Sequence, residues 1–140
     1  MLDLKNGEII LCQSGFRINR KTTPEDLEKN IPDLIHRRFD AKSGYYWYYC
    51  WLDVEPGQFF GVGLCFKNKK RLIMMDLYPS NIQDTPRPND YMIEHEIDEK
   101  WLRRYQETDD ESYRWGRVRF IRGDWDFHTR VIVSYNVLFK

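Results

Sequence analysis

The sequence predicts an α+β fold: a single antiparallel β-sheet rich in aromatics, with two helices packed on one of its faces. Three observations predict it. Residues 45–54 crowd bulky rings into one run, Gly61 and Gly63 stand two apart in the run that follows, and two stretches beginning at Thr23 and Asp90 carry helix signals. Rings and β-branched side chains suit a pleated surface, whereas caps and a recurrence near four residues mark helices. At 140 residues the chain fits one core, so 1–140 is read as a single domain. With 41% hydrophobic and 31% charged residues it has enough apolar surface to collapse, which excludes a disordered chain.

Residues 7–12 and 16–19 are short β-favouring runs separated by Gln13-Ser14-Gly15, and they predict an opening hairpin. Thr23-Pro24-Glu25-Asp26 then combines a capping hydroxyl, Pro at the first helical position and acids against the positive end of the dipole. Pro32 stops that helix, and Leu27 and Ile31 are its expected inward anchors.

The aromatic run is the central strand. Glu55-Pro56-Gly57-Gln58 turns it back into residues 59–66, where the alternate glycines leave room for rings of the facing strand. Asn68-Lys69-Lys70 closes a second turn, and residues 71–78 give a third strand. Pro79, Pro86 and Pro88 make 79–89 an irregular connector.

Ile93, Ile97, Trp101 and Tyr105 recur every four residues, with Leu102 filling the stripe, which predicts an amphipathic helix over about 90–106. The competing reading is a strand over 91–97 with Asp98 capping a shorter helix. An acidic loop, 107–112, leads to a strand over 113–121 that alternates Trp115, Arg117, Arg119 and Ile121 against Gly116, Val118 and Phe120. A turn at 122–126 and a last apolar strand over 130–139 complete the order β-β-α-β-β-β-α-β-β.

Twenty-two basic residues balance twenty-two acidic ones, so no nucleic acid is expected as partner. Basic groups at Arg17-Arg20-Lys21 and Lys67-Lys69-Lys70-Arg71 beside aromatic strands are reminiscent of single-strand platforms, but the core needs many of the rings. The balance is local, too: 84–111 holds ten acids and four bases, while 112–140 holds six bases and two acids. Cys12, Cys50 and Cys65 are odd in number and stand in apolar surroundings, so buried thiols are expected rather than disulfides. The absence of a basic and apolar leader and of any 18-residue apolar run makes the cytoplasm the expected compartment and a membrane an unexpected partner.

Asp124, Asp126, His128 and Arg130 form the richest polar cluster, gathering the groups used for acid–base work or anion binding. A hairpin turn whose Asp residues support the backbone explains the same residues, and no catalytic residue is assigned. His95 and Glu99 lie one helical turn apart but lack the further ligands that a metal motif needs, and His36 stands between arginine neighbours and solvent. Gly61-Val62-Gly63 lacks the third glycine and following helix of a phosphate loop, so neither metal nor cofactor is expected.

A strand aromatic on both faces must turn one of them away from the helices. Either Tyr46, Tyr48 and Cys50, or Tyr45, Trp47, Tyr49 and Trp51, are left for a protein contact. The acids of the helix region, Glu94, Asp98, Glu107, Asp109, Asp110 and Glu111, would steer a partner toward it.

Lys100-Trp101-Leu102, then Trp115-Gly116-Arg117-Val118, Asp124 and Val131-Ile132-Val133-Ser134-Tyr135, resemble a recurring pattern among small uncharacterised bacterial α+β proteins, some of them immunity-protein-like. The resemblance covers about the last third of the chain. It implies a non-enzymatic module that neutralises a toxin partner, and it carries no catalytic residues. The alternatives are a small enzyme or ligand-binding protein built on the Asp124 cluster, and a homo-oligomer paired through the aromatic strand.

Overall fold

The computed structural model describes residues 1–136; the end of the predicted last strand lies outside the described residues. Two antiparallel sheets carry the described residues where the sequence predicts one. The small sheet holds β1 (Leu2–Asp3), β2 (Glu8–Ile10) and β3 (Arg17–Ile18) in that order, β2 and β3 forming the predicted hairpin. The large sheet has seven strands: β4 (Ile35–Lys42), β5 (Tyr45–Glu55), β6 (Gln58–Lys67), β7 (Arg71–Ile82), β8 (Asp110–Ser112), β9 (Gly116–Ile121) and β10 (Arg130–Tyr135). Their spatial order is β4-β5-β6-β7-β10-β9-β8.

The small sheet lies over a face of the large one instead of extending its edge. Tyr135 Oη donates to the Gly7 carbonyl at 2.7 Å, and Trp115 Nε1 donates to the Leu4 carbonyl at 2.7 Å. Gly7 has a positive φ of 65°, and a Cβ there would enter the Trp115 indole, so glycine serves both the turn and the close approach. Ile9, Leu11 and Ile18 are buried beneath, in one core cluster with the large sheet.

Register sorts the large sheet into two faces. Tyr48 pairs with Leu64, Leu64 with Met75, and Met75 with Val133, which pairs with Val118; all five are buried. The α1 helix (Pro24–Asn30) packs on that face through Leu27, and its Glu28 receives the Tyr48 hydroxyl at 3.4 Å. Its predicted start holds, with Thr23 Oγ1 accepting from the Asp26 N–H and the Asp26 carboxylate from the Thr23 N–H. The α2 helix (Tyr91–Leu102) reaches the same face at its C-terminal end, where Trp101 meets Phe60 edge to face, 5.6 Å between centroids.

Predicted turns are present. Pro56 and Gly57 turn β5 into β6, with Gly57 at φ 69°, and Asn68 and Lys69, both at positive φ, turn β6 into β7. The Trp47 and Tyr49 rings lean over Gly63, where a Cβ would come within 3.2 and 3.3 Å of them.

Three predicted boundaries move. β7 continues through Pro79 to Ile82, because Tyr78 pairs with Gly61 and Ile82 with Phe60, leaving Pro79–Asn81 in a bulge where proline loses no ladder bond. α2 ends at Leu102, four residues before the predicted end at Gln106, whose side-chain amide donates to the Thr108 and Val118 carbonyls. The edge strands β4 and β8 replace a stretch with no predicted element and an acidic loop.

Candidate functional site

The α2 helix is turned by about one residue from its predicted orientation. Ile93 is 47% exposed and Ile97 39%, whereas Glu94 is 3% exposed and Asp98 fully buried, with Trp101 and Leu102 beside them. The acids go in because partners wait there. Arg87 Nη2 approaches Glu94 at 3.7 Å, His128 Nδ1 lies 3.0 Å from the same carboxylate, and the Ser80 N–H donates to Asp98 Oδ1 at 2.8 Å. Burial pushes the Asp98 carboxyl up to about 7, with Glu94 adding to the rise and Arg87 opposing it.

Outward rotation leaves Met92, Ile93 and Ile97 in solvent. Residues 123–128 run alongside: His95 Nε2 donates to the Gly123 carbonyl at 3.0 Å, and Tyr91 meets Trp125 edge to face. Trp125 is 88% exposed, the most exposed large apolar residue among those described. Met92, Ile93, His95, Glu96, Glu99 and Arg122 line a shallow recess of about 360 Å³ on this surface.

The second feature is a groove of about 470 Å³ on the other face of the large sheet, floored by Gly61 and flanked by Tyr49 and Tyr78. His36 and Arg37 close one end; Arg87, Asp126, Phe127, His128 and Arg130 form the other. Beside it Asp76 is buried, with Arg130 Nε 3.7 Å from Oδ2 and no hydrogen-bond partner for Oδ1. Burial raises its carboxyl above the usual range, against the pull of Arg130.

The predicted residues divide. Asp126, His128 and Arg130 meet in the groove, while Asp124 is exposed, its Oδ1 accepting from the Asp126 N–H as in the turn reading. Tyr48 is buried and Tyr46 half-buried on the core face, so the residues turned outward are Tyr45, Trp47, Tyr49 and Trp51. Glu94 and Asp98 are corrected from surface acids to interior ones. Glu107, Asp110 and Glu111 are exposed, but Asp109 and Asp110 are held by Arg103, Arg122 and Arg117, which keep their carboxyls below the usual range. His95 and Glu99 serve Gly123 and Arg122, and among the described residues no group of three His, Cys, Asp or Glu is placed to hold a metal ion. Cys12 is exposed where a buried thiol is predicted, because it follows β2 at the rim of the small sheet. Among the described residues no helix is long and apolar enough to cross a membrane.

Sequence reasoning missed Arg87 and Tyr78 in the groove, Asp76 beside it, and the outward set Met92 and Trp125. Alternation along 74–78 was the available signal for the groove, since Met75 and Leu77 must face the core if Asp76 and Tyr78 do not. No known family model, curated protein or solved structure matches the chain.

Proposed function

We propose that this chain is a non-enzymatic protein-binding module whose contact surface is the outer face of α2 with the 123–128 loop beside it. The observation that carries the reading is the inverted helix: it buries two carboxylates and presents Met92, Ile93 and Ile97 to water. A buried acid and an exposed apolar patch both run against the ordinary sorting of side chains, and together they mark a surface made to be covered. Trp125 stands at its rim as the kind of aromatic anchor that dominates interface energies.

Exposed Asp90, Glu96 and Asp124 surround the apolar residues, so the partner fitting this surface is a protein with an apolar recess rimmed by basic groups. The immunity-like pattern of the C-terminal third favours a toxin as that partner. A tagged chain tests the assignment. The expected result is a protein retained by the wild type and released by both Trp125→Ala and Ile93→Asp, each folded by circular dichroism, with a loss of about 2 kcal/mol or more for the tryptophan. Equal retention by all three chains refutes the surface. A homodimer in light scattering that the same substitutions dissolve would reassign the face to self-association.

A further inference from the structure

A second surface, on the opposite side of the large sheet, has a different chemistry. Three guanidinium groups border the groove, each lying over a ring: Arg37 over Tyr49 at 5.7 Å, Arg87 over Tyr78 at 5.2 Å and Arg130 over Phe127 at 5.8 Å. A guanidinium held by its face keeps its N–H edge free for an anion. Arg87 and Arg130 are tied from behind to Glu94 and Asp76 as ion pairs at 3.7 Å, and Arg130 Nη1 donates to the His128 carbonyl at 3.3 Å, which leaves Arg87 Nε and Nη2 and Arg130 Nε buried without a hydrogen-bond acceptor. Those two acids are buried behind Arg87 and Arg130; the groups lining the groove are three arginines, Asp126 and the rings of His36 and His128, and burial together with Arg37 lowers the His36 pKa. The lining is therefore rich in hydrogen-bond donors although the chain as a whole is neutral.

The two ends of the groove differ. Near β4 and β5, the His36 ring stacks on Trp51 with centroids 5.0 Å apart, and Tyr49 lies adjacent, stacked with Trp47 and topped by Arg37. Near β7 and β10 lie Arg87, Arg130 and His128, the last with Nδ1 donating to Glu94, so that Nε2 donates to an anion when the ring is protonated. Between the ends Gly61 lowers the floor; a Cβ there would come within 2.9 Å of Asn81 Nδ2. β5 and β10 stand three strand spacings apart, about 14 Å, before side chains reach inward.

From this arrangement we propose that the groove binds a mononucleotide, with its phosphate between Arg87, Arg130 and His128 and its base against Tyr49 and the His36–Trp51 stack. A planar group and an anion separated by a sugar match the span. A phosphate attached directly to a ring is too short to use both ends. The volume of about 470 Å³ lies within the range of small-ligand sites. The site takes in Asp126, Phe127 and His128 of the 123–128 loop but not Met92, Ile93, Ile97 or Trp125, so substitutions at Arg37 and Gly61 test it apart from the outer face of α2.

Calorimetric titration of the full chain at low salt tests it, with AMP, adenosine, inorganic phosphate and phenyl phosphate as the probes. AMP is expected to bind at least about tenfold more tightly than each of the other three, and to weaken as salt is raised. Arg130→Ala and the exposed Arg37→Ala are each expected to weaken AMP about tenfold or more, Gly61→Ala to weaken it by filling the floor, and Trp125→Ala to leave it unchanged. The proposal is overturned if AMP binds no better than the fragments. It is equally overturned if folded Arg37→Ala and Gly61→Ala chains bind AMP as the wild type does.

Discussion

Replacing Asp98 by Asn isolates the energetic consequence of turning acids inward. Asp98 is fully buried; its Oδ1 accepts the Ser80 N–H at 2.8 Å, and its Oδ2 has no hydrogen-bond partner. Burial lifts its pKa from 3.8 to about 7, with Glu94 adding to the rise and Arg87 opposing it. Between those two values the folded chain holds a proton that the unfolded chain has released. Stability therefore falls as pH rises from about 4 to about 7 and is level above. From pH 5 the loss approaches ~1.4 kcal/mol per pH unit and tapers as Asp98 titrates, reaching about 2–3 kcal/mol by pH 8. Asn keeps an acceptor for Ser80 and carries no charge, so its variant escapes this loss. Groups common to both chains, such as Glu28 and Asp109, whose carboxyls arginines hold low, cancel in the comparison. Urea unfolding of both chains at pH 5, 6, 7 and 8 is the assay. The stability advantage of Asp98→Asn over wild type is expected to widen by about 2–3 kcal/mol across that range. Parallel profiles, or an advantage that shrinks toward pH 8, would refute the burial argument.

Two further outcomes test the fold. Cys50 and Cys65 are buried, their thiols pushed up to about 12 and about 11, while Cys12 is exposed. A disulfide reagent at pH 8 should therefore label a single thiol per native chain quickly and all three in urea; fast labelling of more than one would contradict the burial. Gly7→Ala meets both a positive φ and the Trp115 ring and should cost about 2–4 kcal/mol, against about 1 kcal/mol for Gly15→Ala, whose positive φ opens on empty space. Equal melting temperatures for the two variants would show that the indole does not pin that turn.

Local chemistry was legible where neighbouring residues decide the conformation. Thr23 and Pro24 open a helix wherever they sit, and Asn68-Lys69 and Pro56-Gly57 fit tight turns through their own backbone preferences. The aromatic run reads as a strand for the same reason. β4 and β8 were invisible because they are edge strands: each pairs on one side, nearly all their side chains face water, and no alternation is imposed. β8 is written instead in charge, with Asp110 held across the ladder by Arg117.

The candidate sites divide along the same line. Asp126, His128 and Arg130 stood out as a cluster because they are near in sequence, but Tyr78 and His36 reach the same groove only through strand pairing, and Arg87 reaches it from the connector between β7 and α2. Composition and local pattern determined that this chain would form aromatic strands joined by specific turns, with two capped helices. Only the tertiary structure decided which side of α2 faces inward. Periodicity says that a helix has two sides; the partners held ready by Arg87, His128 and Ser80 make the acidic side the buried one. A buried charge is tolerable only beside groups that answer it, and those groups come from distant parts of the chain.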